Sequence, residues 1–128
     1  MFKLSRRSKE NREGIDPRLI AISDRALTIS KYDFGHPAHS GLRTAEEQHN
    51  LYVDNKSNCD GYRKESYHQS GKALDFYAFV DGKASWDKEH LAVVAAAFLQ
   101  AAAELGHKLE WGGLWKNFSD YPHVQIRD

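Results

Sequence analysis

The chain reads as an α+β domain: a small antiparallel sheet with helices packed mainly on one side. Three observations predict it. The elements follow the order helix, strand, helix, strand, helix, strand, strand; a strongly periodic helix occupies the second half; and Asp81-Gly82 marks a tight turn that closes a hairpin. Asp16 followed by Pro17 reads as N-cap and first helical residue, and Leu19, Ile20, Ile22, Ala26 and Leu27 supply an apolar stripe. Thr28 to Phe34 then reads as a strand and Gly35 to Gly41 as a loop. Thr44 and Glu47 form a capping box that starts a helix just after Arg43 and carries it to about Val53, leaving Arg43 at a strand-to-helix junction. Asn55 to Glu65 is polar and rich in turn formers, a surface loop. Gln69-Ser70-Gly71 supplies a turn, with Gly71 free to take positive φ. Ala73 to Val80 reads as one buried strand. From about Asp87 to Leu105, Leu91, Val94, Ala95, Phe98, Ala102 and Leu105 recur at helical spacing, and Gly106 is the stop. Lys108 to Trp111 is a short strand. In the last strand, Tyr121 to Ile126, alternation sets His123 and Gln125 on one face and Val124 and Ile126 on the other.

With 128 residues the chain is expected to be one domain, 1–128, large enough to bury a core without disulfide staples. Eighteen basic and eighteen acidic side chains give zero formal charge, so no basic field argues for nucleic acid or an anionic membrane. Cys59 is alone, which fits a reducing cytosol. Arg6-Arg7 is followed by charged residues and no apolar run, so a secretory or twin-arginine signal is not expected. No stretch approaches the roughly 20 apolar residues of a membrane span. No apolar stripe is left over for a partner, and the expected state is a monomer.

The chemistry-bearing residues are two histidines, an aspartate and a separate glutamate. A catalytic zinc takes three protein ligands from His and Asp/Glu and leaves a position open, while a carboxylate that does not ligate handles the proton. His68, Asp75, His123 and Glu110 fill those roles. His68 and Asp75 are seven residues apart and reach one ion only if the backbone turns between them, as Gln69-Ser70-Gly71 allows. Asp75 sits in an apolar segment, where a carboxylate requires a partner such as a cation. Glu110 between Leu109 and Trp111 has a partly apolar setting suited to proton transfer.

Ser66-Tyr67-His68-Gln69-Ser70-Gly71-Lys72-Ala73-Leu74-Asp75, Glu110-Trp111-Gly112-Gly113 with Trp115, and Pro122-His123-Val124-Gln125 together resemble the zinc peptidases of the D-alanyl-D-alanine carboxypeptidase and VanX/VanY type. Within that group the chain is most similar to phage endolysins that cut the L-alanyl-D-glutamate bond of peptidoglycan stem peptides. Lys3-Leu4-Ser5, Arg7-Ser8, Ser40-Gly41-Leu42-Arg43-Thr44 and Glu47-Gln48 extend the resemblance through nearly the whole chain. Leu114 departs from it, because many relatives carry Asp there, but Leu114 fills none of the four roles. Glu110 and His123 are thirteen positions apart, which argues for the endopeptidase branch, since the carboxypeptidase base sits only a few residues before the last ligand.

The resemblance implies the Hedgehog/DD-peptidase-like zinc peptidase fold, Zn2+ as cofactor held by His68, Asp75 and His123, and Glu110 as the catalytic base. It implies Arg43 on the developing negative charge or a substrate carboxylate, and Ser66 as a substrate contact or a support for a ligand. The implied partner is the peptide stem of peptidoglycan. A chain with no signal and no linker to a wall-binding module implies an endolysin that waits in the host cytoplasm until the membrane is permeabilised. Two other readings share the site: a D-Ala-D-Ala carboxypeptidase, and a zinc-stabilised binding module without catalysis. His36, His39, His49, His90 and His107 are read as ordinary histidines; His36 and His39 lie in a loop before Arg43, near enough in sequence to line a cleft.

Overall fold

The computed structural model describes residues 2–128. Helix α1 (Arg6–Asn11), which no sequence signal announced, is capped by Ser5, whose hydroxyl accepts from Ser8 N at 3.1 Å. Helix α2 (Pro17–Ile29) starts as expected, with Asp16 accepting from Arg18 N at 2.9 Å. Its Leu19, Ile22 and Ala26 are fully buried, and they pack with Leu91, Val94, Ala95 and Phe98 of α4 (Lys88–Leu105) in one continuous core. Gly106 ends α4 at φ 77°, a left-handed cap that glycine adopts without steric cost. Helix α3 (Ala45–Val53) carries the capping box in full, with Thr44 and Glu47 each satisfying the other's backbone N–H.

The expected strand Thr28–Phe34 shortens to β1 (Asp33–Gly35), because Thr28 and Ile29 complete the last turn of α2 and Ser30 N bonds Ala26 O at 2.8 Å. β-branched residues favour strands only weakly, and the apolar stripe of α2 facing α4 overrides that preference.

The expected strand Ala73–Val80 is two strands, β2 (Ala73–Asp75) and β3 (Tyr77–Val80), which belong to different sheets. The chain crosses between the sheets at Phe76, whose N–H donates to Pro122 O at 2.8 Å and whose ring stacks on Phe98 at 5.1 Å between centroids. The architecture is therefore α+β with two three-stranded antiparallel sheets instead of one. The first has the order β1-β3-β4, with β4 Lys83–Ser85 joined to β3 through the Asp81-Gly82 turn. The second has the order β2-β6-β5, with β5 Leu109–Trp111 and β6 His123–Ile126. In the second sheet Asp75 pairs directly with His123, and Glu110 with Gln125. That register positions the site.

Candidate active site

His68 stands on a short 3-10 turn, Tyr67–Ser70, instead of a strand. Ser66 caps the turn by accepting from His68 N at 3.2 Å, and Gly71 leaves it at φ 73°. His68 Nδ1 lies 2.9 Å from Gly41 O, which can only accept, so Nδ1 carries the proton and Nε2 is left as a bare lone pair. On β6, His123 Nε2 donates to Gln125 Oε1 at 2.8 Å, which leaves Nδ1 bare. These two bare nitrogens and Asp75 Oδ1 converge: 3.2 Å between the nitrogens, 3.3 Å from His68 to Asp75 and 3.1 Å from His123 to Asp75. Donors at about 2.0–2.1 Å from a tetrahedral ion stand about 3.3 Å from one another, so the triangle has the dimensions of one face of a zinc tetrahedron. The donor set fits zinc in chemistry as well as size, and both imidazoles have the outer hydrogen bond that orients a ligating histidine.

Asp75 is held from three sides. Its N–H donates to Ser40 O at 2.8 Å, its carbonyl accepts from His36 Nδ1 at 2.7 Å, and its Oδ2 accepts from Arg43 Nη2 at 3.1 Å. Burial alone would raise its pKa, but with a proton on their inner nitrogens the two histidines facing Oδ1 outweigh that and hold the carboxyl well below the usual range. Asp75 thus turns one oxygen to the candidate metal position and the other to Arg43. Arg43 also donates through Nε to His39 O at 2.7 Å and through Nη1 to Gln48 Oε1 at 3.0 Å. Three of its five N–H donors are engaged, and the residue lines the cleft beside the cluster.

That cleft has a volume of ≈ 560 Å³ and includes Ser66, Tyr67, Trp115, Phe118 and Asp120 in its wall. Asp120 is the acidic group placed on the cluster. Its Oδ2 is 3.8 Å from His123 Nδ1, and among the described residues no hydrogen bond reaches its carboxylate. Burial, and then the negative charge of Asp75, raise its pKa above the ordinary value. Glu110 is placed differently: its Oε1 accepts from Trp115 Nε1 at 2.6 Å and its Oε2 lies 3.5 Å from Arg127 Nε. Among the described residues, no hydrogen bond or ion pair joins Glu110 to His68, Asp75 or His123. It is joined to the cluster only through Trp115, whose ring packs on His123 at 5.3 Å between centroids.

The loop histidines also separate. His39 is exposed, at φ 61°, and its Nδ1 meets Glu47 Oε2 at 2.9 Å. His36 is buried behind Asp75 and does not line the cleft. Leu114 is exposed.

Residues 1–127 match the family described as phage L-alanyl-D-glutamate peptidase. The chain belongs to this family. It is 35% identical over 130 residues to the L-alanyl-D-glutamate peptidase of Escherichia phage T5, covering 98% of this chain and 90% of that protein. It is 38% identical over 102 residues to the peptidoglycan L-alanyl-D-glutamate endopeptidase CwlK of Bacillus subtilis, covering 67% of this chain and 57% of that protein. Among solved structures, the L-Ala D-Glu endopeptidase ChiX of Serratia marcescens superposes with a TM-score of 0.85 at 33% identity, over 98% of this chain and 90% of that one. The resemblance read from the motifs and the α+β peptidase fold are both borne out.

In this member of the family the signal for Asp120 was in the sequence: Asp120-Tyr121-Pro122-His123 puts an acid three residues before the last histidine of the cluster. The endopeptidase branch read from the distance between Glu110 and His123 is the branch of these relatives. Of the paired glycines, Gly112 makes room for Asp120 and Gly113 for the Trp111 ring. A Cβ on Gly112 would meet Asp120 O and would stand 3.0 Å from Asp120 Cβ.

Proposed function

We propose that this chain is a zinc-dependent endopeptidase that hydrolyses the L-alanyl-D-glutamate bond of peptidoglycan stem peptides. The observation that carries the reading is the donor triangle of His68, Asp75 and His123 at 3.1–3.3 Å, open to a cleft in which the Asp120 carboxylate has no hydrogen-bonding partner among the described residues. Bound there, zinc supplies a Lewis acid for the scissile carbonyl and lowers the pKa of a coordinated water toward ~7.

The chain's own residues do the rest. Asp120 accepts the proton of the attacking water and delivers it to the leaving amine of D-Glu; its raised pKa brings it closer to the neutral range in which such transfer is efficient. The base role expected for Glu110 thus passes to Asp120, and Glu110 fixes Trp115 against His123. Arg43 aligns Asp75 and retains two N–H donors for negative charge on the tetrahedral oxygen or for a substrate carboxylate. Ser66 acts by capping the turn that presents His68. His68 and His123 are fixed as acceptors by Gly41 and Gln125.

The setting we infer is that of an endolysin acting on the wall of the bacterial host once the membrane is permeabilised. No helix among the described residues is long and apolar enough to cross a membrane. The test is mass spectrometry of purified peptidoglycan digested with and without a chelator. Chelator-sensitive release of peptides with a new N-terminal D-Glu is expected. Release of free D-alanine instead assigns the carboxypeptidase reaction, and no cleavage by a folded, zinc-loaded sample assigns a binding module.

A further inference from the structure

Gln48 is the one buried residue of α3, fully enclosed, and it is a glutamine where helix packing alone would be met by Leu or Met. A buried amide is costly unless hydrogen-bonded, and this one is used at both ends. Its Oε1 accepts from Arg43 Nη1 at 3.0 Å, and its Nε2 donates to Ser57 Oγ at 2.7 Å and to Cys59 O at 2.9 Å. Arginine only donates and a carbonyl only accepts, so the partners fix which end is which.

Arg43 in turn donates to Asp75 Oδ2. A continuous chain of hydrogen bonds therefore runs from the metal-ligand cluster through Arg43 and Gln48 into the loop between α3 and Ser66. That loop has no strand or helix of its own, yet Lys56, Ser57, Asn58, Cys59, Lys64 and Glu65 form one wall of the cleft. A second amide ties its far side: Gln69 Nε2 donates to Gly61 O at 2.9 Å, on the turn that carries His68. Gly61, at φ 90°, lies so close to α3 that a Cβ would stand 2.7 Å from Ala45 O, so the loop is seated directly on the helix.

We propose that Gln48 is a positioning residue that latches the cleft wall of residues 56–65 to the metal cluster, seating the stem peptide through one end of its amide and aligning Asp75 through the other. The proposal rests on the endopeptidase reading for its substrate, and on geometry alone for the latch.

Three variants separate the two ends. Ser57→Ala removes two bonds at the loop, from Gln48 Nε2 and from Cys59 N, and leaves Arg43 untouched. Gln48→Glu keeps an acceptor for Arg43 but turns an acceptor toward the Cys59 carbonyl. Gln48→Met keeps the volume and removes every bond. The measurements are kcat and KM on a stem peptide containing L-Ala-D-Glu, the zinc dissociation constant by chelator competition, and amide hydrogen exchange over residues 56–65. Gln48→Glu and Ser57→Ala are expected to raise KM about fivefold, with kcat and zinc affinity within about twofold of wild type, and to speed exchange in the loop. Gln48→Met is expected in addition to weaken zinc about tenfold. Unchanged KM and unchanged loop exchange in folded Ser57→Ala and Gln48→Glu overturn the latch, as does a Gln48→Met protein that loses thermal stability alone. If wild type cuts no stem peptide, the function falls instead, while exchange and zinc affinity, which require no substrate, still decide the latch.

Discussion

Replacing Asp120 by Asn and Glu110 by Gln distinguishes the two carboxylates with the least disturbance, because each change keeps shape and removes charge. The Asp120→Asn change leaves the backbone bonds of this position in place, Asp120 N to Gly112 O at 2.9 Å and His123 N to Asp120 O at 3.2 Å, so the cluster should keep its geometry and its zinc. What is lost is a carboxylate 3.8 Å from the inner nitrogen of His123, within reach of the cluster through one water and proposed to take the proton. General-base catalysis contributes about 10²–10⁴-fold, or roughly 3–5 kcal/mol of barrier, so Asp120→Asn is expected to lower kcat/KM by that factor. In Glu110→Gln the new amide oxygen still accepts from the Trp115 indole. Only the charge-assisted part of that bond and a solvent-exposed pair with Arg127 disappear. That is about 1 kcal/mol and a loss of about fivefold. The assay is kcat/KM from chromatographic detection of new N-terminal D-Glu, with zinc content measured on the same samples. A hundredfold loss in zinc-replete Glu110→Gln, with Asp120→Asn within tenfold of wild type, would return the base to Glu110.

Three further outcomes are expected. Burial lowers the pKa of His36 to about 4, while the unfolded chain protonates it near 6.5. The unfolded state therefore binds the extra proton between those values, and stability falls as pH drops through the window, by roughly 3 kcal/mol in all, with no contribution above it; urea unfolding of chelated wild type should show this slope and His36→Asn should flatten it. Phe98→Ala removes the ring that meets both Phe34 and Phe76 and should cost about 3–5 kcal/mol by denaturant unfolding. Gly112→Ala sets a methyl against Asp120 and should lower kcat more than it lowers zinc affinity, read by the same turnover and chelator assays.

The helices were legible because their signals are local. Asp16-Pro17, Thr44 with Glu47 and Gly106 each act within one turn of chain, and the structure uses each as written. The division into two sheets was not legible, because Ala73 to Val80 is apolar apart from Asp75 and the break at Phe76 is set by Pro122 O, a bond across 46 residues of sequence. Thr28 and Ile29 misled for a related reason: their strand preference is intrinsic, whereas the packing of α2 on α4 that keeps them helical is tertiary. In the site, the three cluster residues were readable because their spacing and flanking turn carry a metal-site pattern. Asp120 closes Asn117-Phe118-Ser119-Asp120, which resembles any polar loop; its one local signal is the distance of three residues to His123, and its place over the cluster follows from the close approach of Gly112. Glu110 drew notice for its apolar neighbours, but a flanking tryptophan does not reveal that a second one, Trp115, occupies the carboxylate.

Removing the metal should loosen the protein without unfolding it, and the reason lies in how the donors are held. Gly41 O and Gln125 Oε1 fix the outer protons of the two histidines, so their inner lone pairs face each other at 3.2 Å and have no favourable partner except a cation or a proton. Asp75 is better placed, since Arg43 pairs with its other oxygen whether or not an ion is present. The chelated protein therefore keeps its largest buried charge compensated and is expected to remain folded, with unchanged far-ultraviolet dichroism. Zinc at about a thousand times its dissociation constant adds about 4 kcal/mol to the folded state. For a domain of this size that corresponds to a rise of roughly 15 °C in melting temperature. His68→Ala and His123→Ala should abolish the rise, while Glu110→Gln should preserve it. A melting temperature indifferent to zinc in the wild-type protein would show that the triangle is a hydrogen-bonded cluster, in which a shared proton takes the place of the ion.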